Sequence, residues 1–421
     1  MAPERVGRVV ALLAVAAGIT VANLYYAQPL LDALAGDFGV GRDAVSLVVT
    51  LGQLGYAAGI VALVPLGDVV DDRKLTLRVL SVAVAAAAAC ALAPSFVVFL
   101  AAALVLGSTA VVAQIVLPIA ARVVPAERRG QLVGRVTGGL LLGILLARAF
   151  AGLVAAASSW RVVFGFSTVA MAVLAVVLAR SLPRRGPTGA LHYRSLLGSV
   201  AVLVREEPVL RRRALYQAAM FGAFSLFWTS ASFQLAGLGV GQAGIGVFAL
   251  VGAAGALAAP LAGRLGDRGL GRPATGVALL VAAAAAGIAG FGARSVLVLA
   301  VAAVVLDLAV QANLVLGQQA VYARRPEARS RMNAVYIGSF FLAGAAGSAV
   351  SGFAYTHGGW RAVMTVAAAL PLLALLRWVG EVRSLRGRGR RRPTAAIGGV
   401  SDAHPGGVSA RRGSGRTGPG R

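Results

Sequence analysis

Apolar residues in this chain run in long blocks separated by short Arg-bearing connectors. Twelve blocks reach about 20 residues, enough to cross a bilayer as helices whose backbone groups are all bonded internally. They lie at 8–31, 45–66, 75–93, 96–121, 132–156, 161–180, 212–235, 242–263, 274–292, 295–322, 332–355 and 361–379, here spans 1 to 12. The pattern predicts an all-α integral membrane protein. Span 1 lacks a small-residue cleavage site and continues through Asn23, Tyr25, Tyr26 and Gln28, so it reads as a retained helix and not a removed signal.

Shifted by 200 residues, the chain matches itself. Gly52, Gly55 and Gly59 fall on Gly252, Gly255 and Ala259, Gly152 on Gly352, and Trp160-Arg161 on Trp360-Arg361. Self-similarity at half the length predicts two pseudo-symmetric six-helix bundles, at 1–180 and 212–380. Between them lies a basic linker, 181–211, with Pro183, Pro187 and Pro208. After 380 the chain is rich in Arg, Gly, Ser and Pro, a composition that predicts a disordered basic tail over 381–421.

Hydrophobic residues make up 58% of the 421, and the mean hydropathy of +0.81 excludes an ordinary soluble domain. The net charge of +25 could suggest a nucleic-acid partner, but its placement gives a simpler reading. Arg and Lys cluster in the even-numbered loops, whereas the odd loops carry only Arg42, Arg161, Arg294 and Arg361. That asymmetry puts the even loops and both termini in the cytoplasm. Nearly all basic residues are Arg, and Ala and Gly abound, as in a GC-rich bacterial genome; the membrane is then the cytoplasmic (inner) one. One cysteine, Cys90, excludes an internal disulfide and a thiol metal cluster. No cofactor or nucleic acid is implied, and a monomer in the bilayer suffices.

Two loops repeat an acidic motif: Pro65-Leu66-Gly67-Asp68 through Arg73-Lys74, and Gly263-Arg264-Leu265-Gly266-Asp267-Arg268 through Gly271-Arg272. They resemble the loop signature of the major facilitator superfamily, the second copy more completely. The segments Asn23 to Leu30, Gln114 to Pro118 and Pro326 to Asn333 are similar to bacterial efflux-type members. The resemblance covers nearly everything before residue 380 and implies alternating access between two bundles. It also implies that Asp68, Arg73, Asp267 and Arg268 form charge relays that gate the halves. Small residues at four-residue steps allow close helix approach in lipid: Gly139, Gly143, Ala147 and Ala151 in span 5, and Gly344, Ser348 and Gly352 in span 11. In the superfamily, spans 2, 5, 8 and 11 form the seam between halves.

Of the 15 acidic residues only Asp307 lies well inside a span, and an intramembrane carboxylate points to function. Asp307, Gln311, Gln318 and Tyr322 form one stripe on span 10. Tyr25, Gln28 and Asp32 share an arc of span 1, Gln114 lies in span 4, and Gln217, Phe221, Phe224, Ser225, Trp228 and Ser232 share a side of span 7. Spans 1, 4, 7 and 10 line the cavity in the superfamily, which adds Asn23 and Tyr26 to the substrate candidates. Arg148, deep in span 5, is the matching cation, expected to meet Asp307 directly or through substrate.

No constellation for hydrolytic or metal chemistry accompanies these residues, since His192, His357 and His404 lie in loops and tail. No phosphate-binding loop points to ATP. The expectation is a secondary transporter of a small molecule, with protons as coupling ion and efflux as direction. Uptake, uniport, or a non-transporting sensor on the same fold are the alternatives. A cavity of one acid, several amides and aromatics suits a moderately polar, neutral or cationic substrate.

Overall fold

The structure is a computed structural model describing residues 3–123, 129–182, 193–325 and 328–390. Its elements are helices joined by short turns. Nine stretches of the described residues are long and apolar enough to cross a membrane, and the last, Arg329–Ser384, joins two spans at Gly359, whose φ of 64° breaks the helix. In chain order the helices are α1 (Pro3–Ala22), α2 (Leu31–Phe38), α3 (Arg42–Ala62), α4 (Asp72–Ala91), α5 (Phe96–Thr109), α6 (Val112–Val123), α7 (Arg129–Ala157) and α8 (Trp160–Ser181). Then come α9 (Tyr193–Glu206), α10 (Pro208–Gly237), α11 (Gln242–Phe248), α12 (Ala258–Asp267), α13 (Gly271–Phe291), α14 (Val296–Tyr322) and α15 (Arg329–Arg390). The last helix continues ten residues into the segment expected to be disordered; 391–421 lie outside the described residues.

Three spans that the hydropathy pattern predicts as continuous are broken within their length. Span 1 ends its first helix at Ala22, where the Asn23 amide donates to the carbonyls of Ile19 (3.2 Å) and Thr20 (3.3 Å) and so closes the helix end. Pro29 then opens a 3-10 turn, Gln28–Leu30. Span 4 breaks between α5 and α6, where the hydroxyls of Ser108 and Thr109 each donate to a carbonyl one turn back at 2.7 Å. Span 8 passes from α11 through a nine-residue 3-10 stretch, Ala249–Leu257, to α12. Hydropathy averages over such breaks because the residues in them stay apolar.

Glycines decide where helices touch. Gly143 and Gly139 of α7 lie against the backbone of Gly18 and Ala14 in α1, and Gly55 and Gly59 of α3 against Leu104 and Ser108 of α5. The span 5 glycines expected at a seam between halves therefore pack within the first half. The span 11 stripe does face the other half: Gly344 lies against Gln53 of α3, and Ser348 and Gly352 lie against Ser46. Gly152 of α7 meets Gly246 of α11, and Gly352 of α15 meets Ser46 of α3. These two contacts are images of each other, since Gly352 and Gly246 lie 200 residues beyond Gly152 and Ser46.

Further contacts between the halves join the same end of the molecule. Gln242 donates to the carbonyl of Pro29 (2.7 Å), Ser348 to that of Ser46 (3.1 Å), and the Arg42 guanidinium lies over Phe233 (5.7 Å) and Tyr355 (5.3 Å). This end lies away from the Arg-rich loops. Nearby, Asp37 accepts from Trp160 Nε1 (3.2 Å) and pairs with Arg161, which holds its carboxyl below the usual carboxylate range.

A leucine at Gly143 forces α1 and α7 apart and should cost at least ~1–3 kcal/mol, whereas one at Gly138, which faces open space, should be tolerated; thermal unfolding in detergent compares them. Because the Asp37 carboxyl is lowered, its contribution is present above the unfolded carboxylate pKa and lost as pH falls through the folded one. Asp37→Asn should therefore unfold with a shallower acid-side pH dependence than the native chain.

Candidate functional site

Asp307 sits in the middle of α14 and is 6% exposed. Trp228 of α10 donates its Nε1 hydrogen to Asp307 Oδ1 at 3.0 Å. The same indole carries the guanidinium of Arg148, from α7, on its face, with Cζ 4.5 Å from the ring centroid. Tyr25 (4.9 Å) and Phe224 (5.5 Å) supply two further rings around that cation, and Arg148 Nε donates to Gln28 Oε1 at 2.7 Å. Acid and base thus share one indole, the acid at its edge and the base on its face. Among the described residues no direct Arg148–Asp307 ion pair forms.

Gly252 makes this assembly possible. A Cβ there would lie 2.6 Å from Asp307 Oδ2, 3.1 Å from the Trp228 ring and 3.5 Å from Arg148 Nη1. It belongs to the 3-10 stretch of span 8, and Gln28 belongs to the 3-10 turn of span 1, so two of the three broken spans deliver the site. Irregular backbone at membrane depth is tolerated where protein surrounds it or a cavity is lined.

A charge at the bilayer centre costs about 2.5–3.5 kcal/mol on insertion scales. A hydrogen bond to a charged group returns about 1.5–3 kcal/mol, and a desolvated cation–π contact up to about 2 kcal/mol. Arg148 has three rings and an amide, so the cluster roughly offsets its own burial. Two donors remain unpartnered: Arg148 Nη2 and Gln28 Nε2. Both residues line a small cleft with Pro29, Trp228, Ser232 and Phe248.

Of the residues singled out from sequence, the structure brings together Tyr25, Gln28, Arg148, Trp228 and Asp307. Others sit apart. Asn23 accepts from Ser167 (2.6 Å) and reaches Met171, tying the end of α1 to α8, and Tyr26 packs on Phe150 and Phe164. Gln114 donates to Tyr56 (3.3 Å), and Gln217 accepts from Asn313 (2.8 Å). Gln311 and Gln318 are half-buried farther along α14.

The expected loop relays take other partners. Asp267 accepts from Gln319 (3.3 Å) and not from an Arg, Arg268 is exposed, and Arg73 donates to the carbonyl of Ala179. The side chain of Asp68 lies outside the described residues. Two features escaped the sequence. Glu207, 5% exposed, pairs with Arg325 (2.6 Å) and Arg324 (3.8 Å), fastening the end of the linker to the α14–α15 connection. Gly252 was visible only as half of a repeated glycine pair.

The model of the Major Facilitator Superfamily matches residues 11–256 and 214–411. The chain belongs to that superfamily. It is 41% identical to the uncharacterized transporter YgaY of Escherichia coli O157:H7 over 371 residues, 88% of this chain and 94% of that one. It is 36% identical over 370 residues, 85% of this chain and 84% of the relative, to SCO4007 of Streptomyces coelicolor, named a probable transporter. Among solved structures it is similar to a bacterial homolog of the human lysosomal transporter Spinster in an inward-facing, occupied conformation. That likeness has a TM-score of 0.77 and 16% identity over 91% of this chain and 98% of the other, and it speaks for the fold alone. The protein is therefore an all-α, multi-pass membrane transporter of this superfamily, and membership in a transporter family separates it from the membrane enzymes.

Trp228→Phe keeps a ring under Arg148 but strips Asp307 of its donor. It should lower stability by about 1–3 kcal/mol, and by much less in an Asp307→Asn background, as measured by thermal unfolding in detergent. Equal losses in both backgrounds would show that the indole hydrogen does not support the carboxylate.

Proposed function

We propose that this superfamily member is a proton-coupled secondary transporter of a small molecule, with Asp307 as the proton-carrying group. The observation that supports this reading is that the buried charge cluster is assembled across the two halves. Tyr25, Gln28 and Arg148 come from the first, and Phe224, Trp228, Gly252 and Asp307 from the second. Any rocking of the halves changes the distance between guanidinium and carboxylate, so the charge on Asp307 biases which arrangement is favoured. A proton at Asp307 weakens that attraction and lets the halves part.

With the Arg-rich loops and both termini in the cytoplasm of a bacterial inner membrane, the contacts around Gly152, Gly246, Ser46 and Gly352 would close the outer face. Opening the cytoplasmic end would part α3 from α15, which meet toward that end at Tyr56 with Phe341 and at Val61 with Gly338. Loop acids then act on their own halves, Asp267 through Gln319, and steer the halves indirectly. Resemblance to efflux-type members supports export in exchange for protons. Uptake together with protons is the second reading, favoured by the two unpartnered donors beside Arg148.

In vesicles energised with a pH gradient, Asp307→Asn should reduce gradient-driven transport roughly tenfold or more, equivalent to about 1.4 kcal/mol, while exchange without a gradient persists. Undiminished proton dependence in that variant would remove Asp307 as the coupling group. The sign of accumulation in everted against right-side-out vesicles separates export from uptake.

A further inference from the structure

We infer that the site takes an organic anion, whose carboxylate is held by the edge of Arg148 and the amide of Gln28, and that the anion and a proton on Asp307 bind together. The inference rests on the reading of Asp307 as the proton carrier, takes the second form of that reading, in which solute and proton move together, and adds the class of substrate.

The argument begins with the geometry of the guanidinium. Three rings, Tyr25, Phe224 and Trp228, surround Arg148, which leaves the planar edge as its place for hydrogen bonds. Along that edge Nε is taken by Gln28, and Nη1 faces Gly252 beside Asp307. Nη2 has no partner. Because an arginine can only donate, Gln28 must turn its oxygen to Arg148, and this fixes its nitrogen as the group left over. Gln28 Nε2 is likewise unpartnered.

Two donors are thus left unmet on side chains only 3% and 2% exposed, and both side chains line the same cleft. Each unmet buried donor costs about 1–3 kcal/mol, so the ligand with most to gain brings acceptors. A carboxylate offers two oxygens in the plane that a guanidinium edge prefers. An ammonium would set donors against donors. Pro29, Phe248 and Trp228 in the same cleft are apolar walls against which the body of a ligand would pack once the cleft widens. This reverses the neutral or cationic substrate expected from the amide and aromatic content of the spans.

Charge then sets the coupling. Arg148 from α7 and Tyr25 from the turn after α1 are the charged and titratable groups facing Asp307. α10 contributes the Trp228 indole, and span 8 contributes Gly252 and Gly255. With Asp307 ionised, the one cation is already balanced, and a second anion leaves a net negative charge in an apolar enclosure. A proton on Asp307 restores neutrality. Anion and proton therefore raise each other's affinity, the behaviour of co-transport in one direction.

The test uses the full chain in detergent and matched probes: acetate and acetamide, benzoate and benzamide, 1-naphthoate and 1-naphthamide, with benzylamine as the cation, read by calorimetry and tryptophan fluorescence. At least one carboxylate should bind tenfold or more tighter than its amide, roughly the 1.4 kcal/mol expected of a charged acceptor, and its affinity should fall as pH rises. Arg148→Gln should abolish binding and Arg148→Lys should keep part of it. Asp307→Asn should bind the carboxylate more tightly and without pH dependence, a gain that misfolding does not produce.

Equal binding of amide or amine, retained binding in Arg148→Gln, or no binding of any carboxylate overturns the inference. Carboxylate binding that is tighter in Asp307→Asn, alongside fully proton-dependent transport by that variant, would remove the proton role and leave the anion site. Loss of proton-driven transport without carboxylate binding would do the reverse.

Discussion

A charge inside a membrane protein must be met by the protein, because lipid cannot meet it. In this chain that requirement falls on one indole. Trp228 gives its N–H to Asp307 and its face to Arg148, and so lets an acid and a base from opposite halves lie close without closing into an ion pair. A direct pair would hold more tightly and move less readily. An acid and a base that share a neutral mediator remain responsive to a proton or a ligand, as the proposed coupling requires.

The surrounding fold makes room for that arrangement. Gly252 removes a side chain from the point where three functional groups converge, and the 3-10 stretch around it passes close to α14. Gln28 reaches the cluster because span 1 breaks after Ala22 and restarts at Pro29. Away from the site, the symmetric contacts Gly152 with Gly246 and Ser46 with Gly352 bring the halves together at one end, and α3 continues the contact through Gln53, which donates to Ser225 (3.3 Å), and Tyr56, which packs on Phe341. Most of the duplicated residues build the frame, and Asp307 and Arg148, which have no counterparts in the repeat, form the buried charge cluster.

The all-helical membrane fold was legible because hydropathy needs only composition over about 20 residues. The main charged partners were legible too, since an acid or base at depth stands out against apolar neighbours. Their mediator was harder to see: Trp228 lay on a stripe with Phe221 and Phe224, and nothing in the spacing says which ring turns its edge to an acid. The loop relays were misplaced for a related reason. A motif names residue types but not rotamers, and Gln319 reaches Asp267 from a neighbouring helix. Buried Glu207 went unnoticed because sequence does not show which loop carboxylates fold inward. The glycine stripe of α7 was read as a seam, although four-residue steps mark close packing without naming the partner; that partner is α1.

The central claim is that a proton resides on Asp307 and is linked to what Arg148 holds. Infrared difference spectroscopy of the reconstituted protein, recorded at fixed pH before and after addition of benzoate, reads this directly. The account predicts that a protonated-carboxyl band grows on ligand addition, and that it is absent in Asp307→Asn and unresponsive in Arg148→Gln. A benzoate-induced band that persists unchanged in Asp307→Asn would contradict it.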